Sequence, residues 1–391
     1  MGLTPRRMGF VIEAFLELQG WKPLAIDATV PLVQVSTCPA DHTPLRTLCT
    51  LVDGSGHRRV RIGCCPRCGH VTYIDRPTKV WVDQYYRSSW DADNLESRLN
   101  RLEQHLPTKL PHEKTGVRIA LGLDIDRSRP ICEIGCGYGA NMKHLANAGF
   151  THVVGTEASE HRAALVSRVF GFDVFTAPFE SEDAQRQLAR HAPFTLIYSH
   201  HVLEHTYHPD KVLEAASRLQ SAGDYLIVSV PNHEQEPSMG VLLFMPHLHS
   251  FTRMSMETLG ARFGYELVDD SHMHPKNVNL AFRKTDRSVE PAPAEQPLAN
   301  AVAKYVRALQ LNSQYLGRRR LWWSRRADKA GQLWMLWNAR LDARHWNAVV
   351  RRHGYDLHRS AMISNLRRRW TTAEESPLEI QFGNELTLLY K

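Results

Sequence analysis

Long apolar runs are missing from this sequence, since no stretch approaches the roughly 18 consecutive apolar residues that a membrane-spanning helix needs. The beginning is basic and then apolar, but Glu13 and Glu17 interrupt the apolar run and no small-residue cleavage site follows. We therefore expect an amphipathic helix rather than a signal peptide, and no membrane span. The seven cysteines include three within residues 64–68, too clustered for a secreted disulfide framework. They favour metal binding or free thiols, and a cytoplasmic protein.

Net positive charge is concentrated in one part of the 391 residues. The net charge is +7, yet residues 316–370 alone hold fourteen Lys and Arg against three Asp, together with six of the nine tryptophans. A Pro/Ala/acidic linker precedes this part. We predict five sections: an N-terminal helix and strand at 1–36, a zinc-knuckle domain at 37–92, an α/β domain at 112–285, the linker at 286–297, and a basic, mainly helical extension at 298–391 that ends in a strand pair around Gly383 and Asn384.

The α/β section alternates apolar strand-like runs with helical stretches. Its strands are predicted at ICEIG, THVVGTEAS, FDVFTAP, FTLIYSH and YLIVSVPN, and YELVDDS and VNLAFRK form a closing pair. Strands that alternate with helices are typical of a parallel sheet with crossover helices on both faces. The sequence therefore predicts an α/β fold with a seven-stranded, doubly wound, Rossmann-like sheet.

A glycine-rich loop, EIGCGYGA at residues 133–140, follows the first of these strands and opens a helix. Glycines permit a tight turn and close approach of a cofactor, and the helix N-terminus offers free N–H donors. Glu157 ends the next strand, 18 residues after Gly139, where a carboxylate can accept both hydroxyls of a ribose. The pattern fits a dinucleotide or S-adenosylmethionine. Glu133 favours the latter, because its carboxylate suits the positively charged methionine end.

The loop and the stretch FTLIYSHHVLEHTYHPDKVLEAASRL together resemble the class I S-adenosylmethionine-dependent methyltransferases over residues 128–285. Thr195 departs from the family, which usually has Asp there. The resemblance implies that S-adenosylmethionine is the cofactor and that its methionine, ribose and adenine parts are bound by Glu133, Gly135, Cys136, Gly137, Gly139, Glu157, Pro178, Phe179, Ser199 and His200.

A cysteine cluster precedes the α/β section. Cys65-Pro66-Arg67-Cys68 places two thiolates on one turn, and Cys38 with His42 or Asp41 could complete a tetrahedral zinc site, with Cys49 or Cys64 as substitutes. The stretch from CCPRCGH to YYRSSW resembles the zinc-binding domain of sugar C-methyltransferases. That resemblance implies a structural zinc, held by Cys38, His42, Cys65 and Cys68, and a tyrosine, Tyr85 or Tyr86, that helps to close the substrate site.

The segment FMPHLHSFT, residues 244–252, resembles the element that carries the probable catalytic base of the sugar C-methyltransferases. His247 matches that histidine, and His249, His201 and Tyr86 are lesser catalytic candidates. Pro246 replaces an acidic residue of the family, which leaves O-methylation of a hydroxyl as possible as C-methylation beside a ketone. The expected acceptor is a carbohydrate-type or other small polar molecule, with negative charge to suit the basic C-terminal section.

Two other functions compete with methyl transfer. His201, Glu204 and His205 spell H-x-x-E-H, the signature of a group of zinc hydrolases, but His201 directly follows a predicted strand instead of lying on a helix. The basic, Trp-rich C-terminal section could instead make the chain a non-catalytic polyanion-binding protein. A nucleic-acid substrate is disfavoured, because SHHVLEH is not the Asn/Asp-Pro-Pro-aromatic element of base-amine methylation.

Overall fold

The computed structural model describes residues 30–52, 59–89, 95–232, 246–274, 277–290, 378–382 and 386–389. The predicted N-terminal helix and the basic helical extension lie outside these ranges. The strands are β1 Leu32–Gln34, β2 Arg46–Val52, β3 Arg59–Cys64, β4 Val71–Tyr73, β5 Asp75–Pro77, β6 Ile131–Ile134, β7 Val153–Thr156, β8 Asp173–Phe175, β9 Leu196–His200, β10 Tyr225–Pro231, β11 His249–Ser250, β12 Tyr265–Asp269, β13 Asn277–Lys284, β14 Leu378–Phe382 and β15 Leu386–Leu389.

Eight α-helices lie in the same ranges, and no helix of the described part is long and apolar enough to cross a membrane. They are α1 Lys79–Gln84, α2 Leu95–His105, α3 Thr115–Gly122, α4 Ala140–Asn147, α5 Glu160–Phe170, α6 Glu182–Leu188, α7 Pro209–Arg218 and α8 Arg253–Ala261. A π-helical turn, Tyr85–Ser89, continues α1.

The larger sheet has seven strands in the order β12-β13-β10-β9-β6-β7-β8. Strands β8, β7, β6, β9 and β10 are parallel, whereas β13 is antiparallel to both β10 and β12. The predicted seven-stranded α/β fold and its closing strand pair are confirmed. Strands β6 and β7 are buried along their whole length, which explains their near-continuous apolar sequence. Since the chain reverses its direction across the sheet between β6 and β9, the ligand crevice is expected at their carboxyl ends.

A second, smaller sheet of six strands is assembled from distant parts of the chain, in the order β11-β4-β3-β2-β14-β15. Strand β11 follows the larger sheet's β10 in sequence, yet it pairs antiparallel with β4. Strands β14 and β15 are the predicted C-terminal strand pair, and β14 also pairs in parallel with β2. The cysteine-containing segment therefore shares its sheet with residues from the α/β section and from the C-terminus, a pairing that local sequence patterns do not contain.

Candidate functional site

The glycine loop between β6 and α4 has the backbone conformation that only glycine adopts readily. Gly135, Gly137 and Gly139 have φ angles of 64°, 58° and 72°. A Cβ atom added to Gly139 would lie 2.7 Å from Val166 Cγ1, so packing also requires glycine there. A Cβ on Gly137 would meet no atom within 4 Å. Gly137 thus borders open space, as a residue that faces a cofactor should.

Glu157, immediately after β7, ties the glycine loop to the neighbouring strand end. Its Oε2 accepts the backbone N–H of Gly137 at 2.9 Å, and its Oε1 accepts that of Ser159 at 3.0 Å. A carboxylate has about four acceptor positions on its two oxygens and can accept hydrogen bonds from hydroxyl groups as well as from N–H groups. The arrangement is compatible with the predicted ribose contact.

Glu133, at the carboxyl end of β6, is buried, and only one of its two carboxylate oxygens has a hydrogen-bond partner among the described residues. Its Oε1 accepts a hydrogen bond from Asn141 Nδ2 at 2.8 Å, while Oε2 has no hydrogen-bond partner among the described residues. Burial raises the pKa of Glu133 to about 8. The Ser199 hydroxyl at the end of β9 is likewise buried and unpartnered within the described part. Unsatisfied buried polar atoms are uncommon, and here they fit an absent polar, cationic ligand.

The remaining predicted cofactor residues surround the same end of the sheet. Cys136 is buried within the loop, and Phe179 is buried in the segment after β8, where Pro178 is half-buried. His200 ends β9, and its ring centroid lies 4.4 Å from that of His201. Burial lowers the pKa of His200 to about 3, so its ring is neutral. Contact of these residues with a cofactor stays a prediction.

His201-x-x-Glu204-His205 lies in a turn after β9, with His201 at a positive φ of 56°. The i, i+4 helical face that a zinc hydrolase of this signature needs is therefore absent from residues 201–205, and the hydrolase alternative is not favoured. Between the two histidines, Val202 packs against the glycine loop, since a Cβ on Gly135 would lie 2.5 Å from Val202 Cγ2.

The structure nevertheless brings this turn to His247. The ligand atoms of Glu204, His205 and His247 all lie within 4.8 Å of one another, and the rings of the two histidines are 4.5 Å apart. Glu204 Oε1 is also 3.4 Å from His201 Nδ1. Glu204 and His205 had no predicted part in the methyltransferase site, although a Glu directly before a His is a pattern that could have suggested one.

Burial dominates the electrostatics of this group. It raises the pKa of Glu204 to about 8 and lowers the pKa of His205 well below its ordinary value, so the imidazole is neutral. Neither carboxylate oxygen of Glu204 has a hydrogen-bond partner in the described ranges. Tyr86, a predicted catalytic residue, contacts the group through its hydroxyl, which is 2.6 Å from His205 Nδ1.

His249 lies apart from this group and is structurally engaged. It is fully buried on β11, with Nδ1 3.0 Å from His70 Nε2 and Nε2 3.1 Å from the carbonyl oxygen of Thr206. Because both ring nitrogens have hydrogen-bond partners, His249 has no lone pair with which to take a proton from a methyl acceptor. Its position joins the smaller sheet to the turn that follows β9, and we do not retain it as a candidate base.

A second group of ligating side chains forms at the cysteine knuckle. It comprises Cys38, Asp41, Cys65 and Cys68. Cys38 Sγ and Cys68 Sγ are 3.6 Å apart, close to the edge of about 3.8 Å of a tetrahedron with Zn–S bonds near 2.3 Å. Both oxygens of Asp41 lie 3.5 Å from Cys65 Sγ. The backbone N–H groups of Ala40 and Cys68 donate to Cys38 Sγ and Cys65 Sγ, an arrangement that stabilises thiolates.

His42, the predicted fourth ligand, does not belong to this group. Its side chain is exposed and its Nε2 lies 2.7 Å from the guanidinium of Arg262, whereas Asp41, the alternative weighed above, lies with the three cysteines. Cys64 is also outside the group, since its thiol is directed at the carbonyl oxygen of Cys65 at 3.5 Å. Cys49 lies on β2, where its backbone pairs with Ile62. Sequence spacing left these alternatives open because Asp41 and His42 are adjacent.

Residues 104–270, fewer than half of the chain, match the sequence model of a family described as "Methyltransferase domain". The chain contains a methyltransferase domain. The prediction of a methyltransferase is confirmed at this level, and the matched residues of the domain include the glycine loop, Glu157 and the turn with Glu204. Among curated proteins, none matches the chain.

Solved methyltransferase structures resemble the chain only distantly. A 1,6-didemethyltoxoflavin-N1-methyltransferase from Burkholderia thailandensis has 15% identity and a TM-score of 0.40, covering 58% of this chain and 96% of its own. Magnesium protoporphyrin IX methyltransferase from Synechocystis has 14% identity and a TM-score of 0.35, covering 53% and 96%. An S-adenosylmethionine-dependent methyltransferase from Mesorhizobium loti has 15% identity and a TM-score of 0.36, covering 44% and 98%. Similarity at this level assigns no substrate.

Proposed function

We propose that the chain transfers the methyl group of S-adenosylmethionine to a hydroxyl, or to a carbon beside a ketone, on a small polar acceptor of carbohydrate type. The observation that carries the proposal is the buried, half-satisfied carboxylate of Glu133 beside a loop of left-handed glycines. A pyrophosphate would raise the pKa of this buried carboxyl further, whereas the amino group or the sulfonium of S-adenosylmethionine would lower it and favour the ionised form.

The residues at the carboxyl ends of the strands would bind the cofactor's parts separately. Glu133 would hold the cationic methionine end and Glu157 the ribose hydroxyls, while Phe179 would border the adenine. Gly137 leaves the backbone open to close approach, and Ser199 and His200 complete the wall from β9. Bound in this way, the cofactor supplies an electrophilic methyl group, and the protein orients the acceptor for in-line attack.

We assign activation of the methyl acceptor to His247. Methyl transfer to oxygen or carbon releases a proton, and His247, when it binds no metal, is the group proposed to receive it. Lys114, at the N-terminus of α3, acts electrostatically on both His200 and His201. A cation beside these histidines supports an acceptor that carries negative charge.

We also propose that Cys38, Asp41, Cys65 and Cys68 bind a structural zinc ion. Three thiolates and one carboxylate are a ligand set that suits Zn²⁺, and no open position for substrate is needed. The site lies in the small cysteine-containing segment, so its role in the proposal is to fix that segment against the methyltransferase domain.

Calorimetric titration with S-adenosylmethionine tests the cofactor assignment, and two glycine variants sharpen it. Gly137→Ala places a methyl group where the cofactor should lie, so we expect affinity to fall at least about tenfold. Gly171→Ala is the matched control: its φ is 74°, its added Cβ also meets nothing within 4 Å, and it caps the C-terminus of α5. Both variants carry about 1–2 kcal/mol of left-handed strain.

Only loss of affinity confined to Gly137→Ala fits the proposal. Absence of binding by the wild-type chain, or equal losses in both variants, would contradict it. A screen of sugar nucleotides and glycans with labelled cofactor would then identify the acceptor, and His247→Ala should abolish transfer while cofactor binding is retained.

A further inference from the structure

The hydrogen bonds around Glu204 leave acceptor atoms facing one another. The His205 Nδ1 atom is 3.2 Å from the carbonyl oxygen of Pro246 and 2.6 Å from the Tyr86 hydroxyl, which itself donates to the same carbonyl at 3.2 Å. A carbonyl can only accept, so Nδ1 carries the proton and shares it between the Pro246 carbonyl oxygen and the Tyr86 oxygen. The Nε2 lone pair of His205 then points towards Glu204 Oε1, 3.7 Å away.

His201 shows the same arrangement from the other side. Its Nε2 lies 3.0 Å from Asn277 Oδ1, an acceptor, so Nε2 carries the proton and the Nδ1 lone pair faces Glu204 Oε1 at 3.4 Å. A carboxylate that is 1% exposed and has no hydrogen-bond donor in the described residues therefore meets ring lone pairs. Acceptor atoms converge in this way when a cation lies between them.

From this convergence we propose that Glu204, His205 and His247 bind a divalent transition-metal ion, flanked by His201, at the acceptor side of the methyltransferase domain. Ligand atoms bonded at about 2.0–2.1 Å lie about 3.4 Å apart in a tetrahedron. The 3.7 Å between Glu204 Oε1 and His205 Nε2 is near that value. Two imidazoles and one carboxylate select ions such as Zn²⁺, Fe²⁺ or Co²⁺ over Mg²⁺, which prefers oxygen.

The groups that would hold His205 in a ligating orientation are already in contact with it. The contacts of His205 Nδ1 with Tyr86 and Pro246 orient its ring and fix its tautomer, as ligating histidines require. Tyr86 is accordingly a positioning residue for His205. Three protein ligands leave a coordination position open, where an acceptor hydroxyl could bind and lose its proton more easily. This use of the metal rests on the proposed function and makes His247 a ligand instead of a base. Binding of the ion itself does not depend on the proposed function.

Cobalt titration of the metal-free, full-length chain tests the site. At the site of Glu204, His205 and His247 we expect one equivalent of Co²⁺, which shows d–d absorption and no thiolate-to-cobalt band. Any Co²⁺ bound at the cysteine knuckle gives that band and is counted separately. Glu204→Gln and His205→Ala should each abolish binding of this Co²⁺ equivalent or lower its affinity. The loss of affinity should exceed the about 10–100-fold that follows removal of a residue that only hydrogen-bonds to a ligand. The retained thiolate band reports that the variant is folded.

His208→Ala is the matched control, since His208 lies on the same turn but is exposed. It should bind as much Co²⁺ as the wild type. If Glu204→Gln and His205→Ala also bind as much, or if the wild type binds Co²⁺ only through thiolates, the proposal is overturned and Glu204 is a protonated buried carboxyl. Titration with S-adenosylmethionine is independent of this result, so failure of the metal site and failure of the cofactor assignment give different outcomes.

Discussion

At the scale of single residues, the site is distinguished by two buried carboxyl groups with unfilled hydrogen-bonding capacity. Glu133 and Glu204 both have a pKa raised to about 8 by burial, and each lies near the carboxyl end of a central strand. A protein retains such groups at a cost in stability, because a buried charge without a partner is unfavourable. Both sites are expected to gain stability when a cation binds.

Glu133 predicts a pH dependence of stability in the cofactor-free protein. Its pKa is 4.5 ordinarily and about 8 when folded, so between these values the folded state holds a proton that the unfolded state has lost. The free energy of unfolding should therefore fall as pH rises from about 4.5 to 8, by at most about 1.4 kcal/mol per pH unit from this group.

Urea unfolding of wild type and Glu133→Gln across that range measures the contribution. The difference between the two chains should change with pH in the stated direction, and groups present in both, such as Glu204, cancel. A difference that is constant with pH would show that Glu133 is ionised in the folded protein. Asn141 can still donate to the oxygen of the new amide, which makes the substitution conservative.

At the scale of elements, the N-terminus of α8 connects the methyltransferase domain with the cysteine knuckle. Thr252 Oγ1 accepts from the backbone N–H of Ser255 at 3.0 Å, and Ser255 Oγ accepts from that of Thr252 at 2.8 Å, a reciprocal capping box. The Thr252 hydroxyl also lies 3.4 Å from the carbonyl oxygen of Cys68 and donates to it. One side chain thus caps a helix and contacts the knuckle.

We expect Thr252→Ala to lower the free energy of unfolding by about 1–2 kcal/mol, because the cap and the contact with Cys68 are both lost. Thr252→Ser keeps the hydroxyl and should stay close to wild type. Denaturant unfolding in the presence of zinc measures both variants. Equal losses in the two would indicate that the methyl group of Thr252, and not its hydroxyl, stabilises this element.

At the scale of the whole molecule, the smaller sheet and the methyltransferase domain are joined by buried polar contacts. Thr72 Oγ1 donates to the carbonyl oxygen of Leu248 at 2.7 Å, and His70 meets His249. Arg262, at the end of α8, donates to the carbonyl oxygens of Pro39 and Ala40 in the cysteine loop. The knuckle therefore packs against α8 from two directions, and loss of its metal should affect the domain as well.

The ligand assignment at the knuckle gives a direct prediction. Asp41→Ala should remove the zinc held by the knuckle and lower the melting temperature, because the three thiolates then lack their fourth partner. His42→Ala should keep its zinc, since it loses only an exposed contact with Arg262. Zinc analysis of the purified full-length variants, beside thermal unfolding, measures both effects. Loss of zinc in His42→Ala with retention in Asp41→Ala would reverse the assignment.

Local patterns were sufficient for the fold of the methyltransferase domain. Alternating strand and helix periods predicted the seven strands, and the glycine loop with Glu157 predicted the end of the sheet where a cofactor would bind. These features depend on residues near one another in sequence, where turn chemistry and periodicity act. The C-terminal strand pair was predictable for the same reason, but its parallel pairing with β2 was not.

Tertiary structure decided what depends on distant residues. Asp41 and His42 are adjacent and both can ligate zinc, and the positive φ of His42 together with Arg262 turns the histidine away. From the sequence, the turn with Glu204 and His205 was expected only to shape a loop. In the structure, His247, more than forty positions later in the chain, lies beside both residues. Spacing along the sequence determines which residues a strand or turn presents, whereas packing of the strands and loops against one another determines which of them meet.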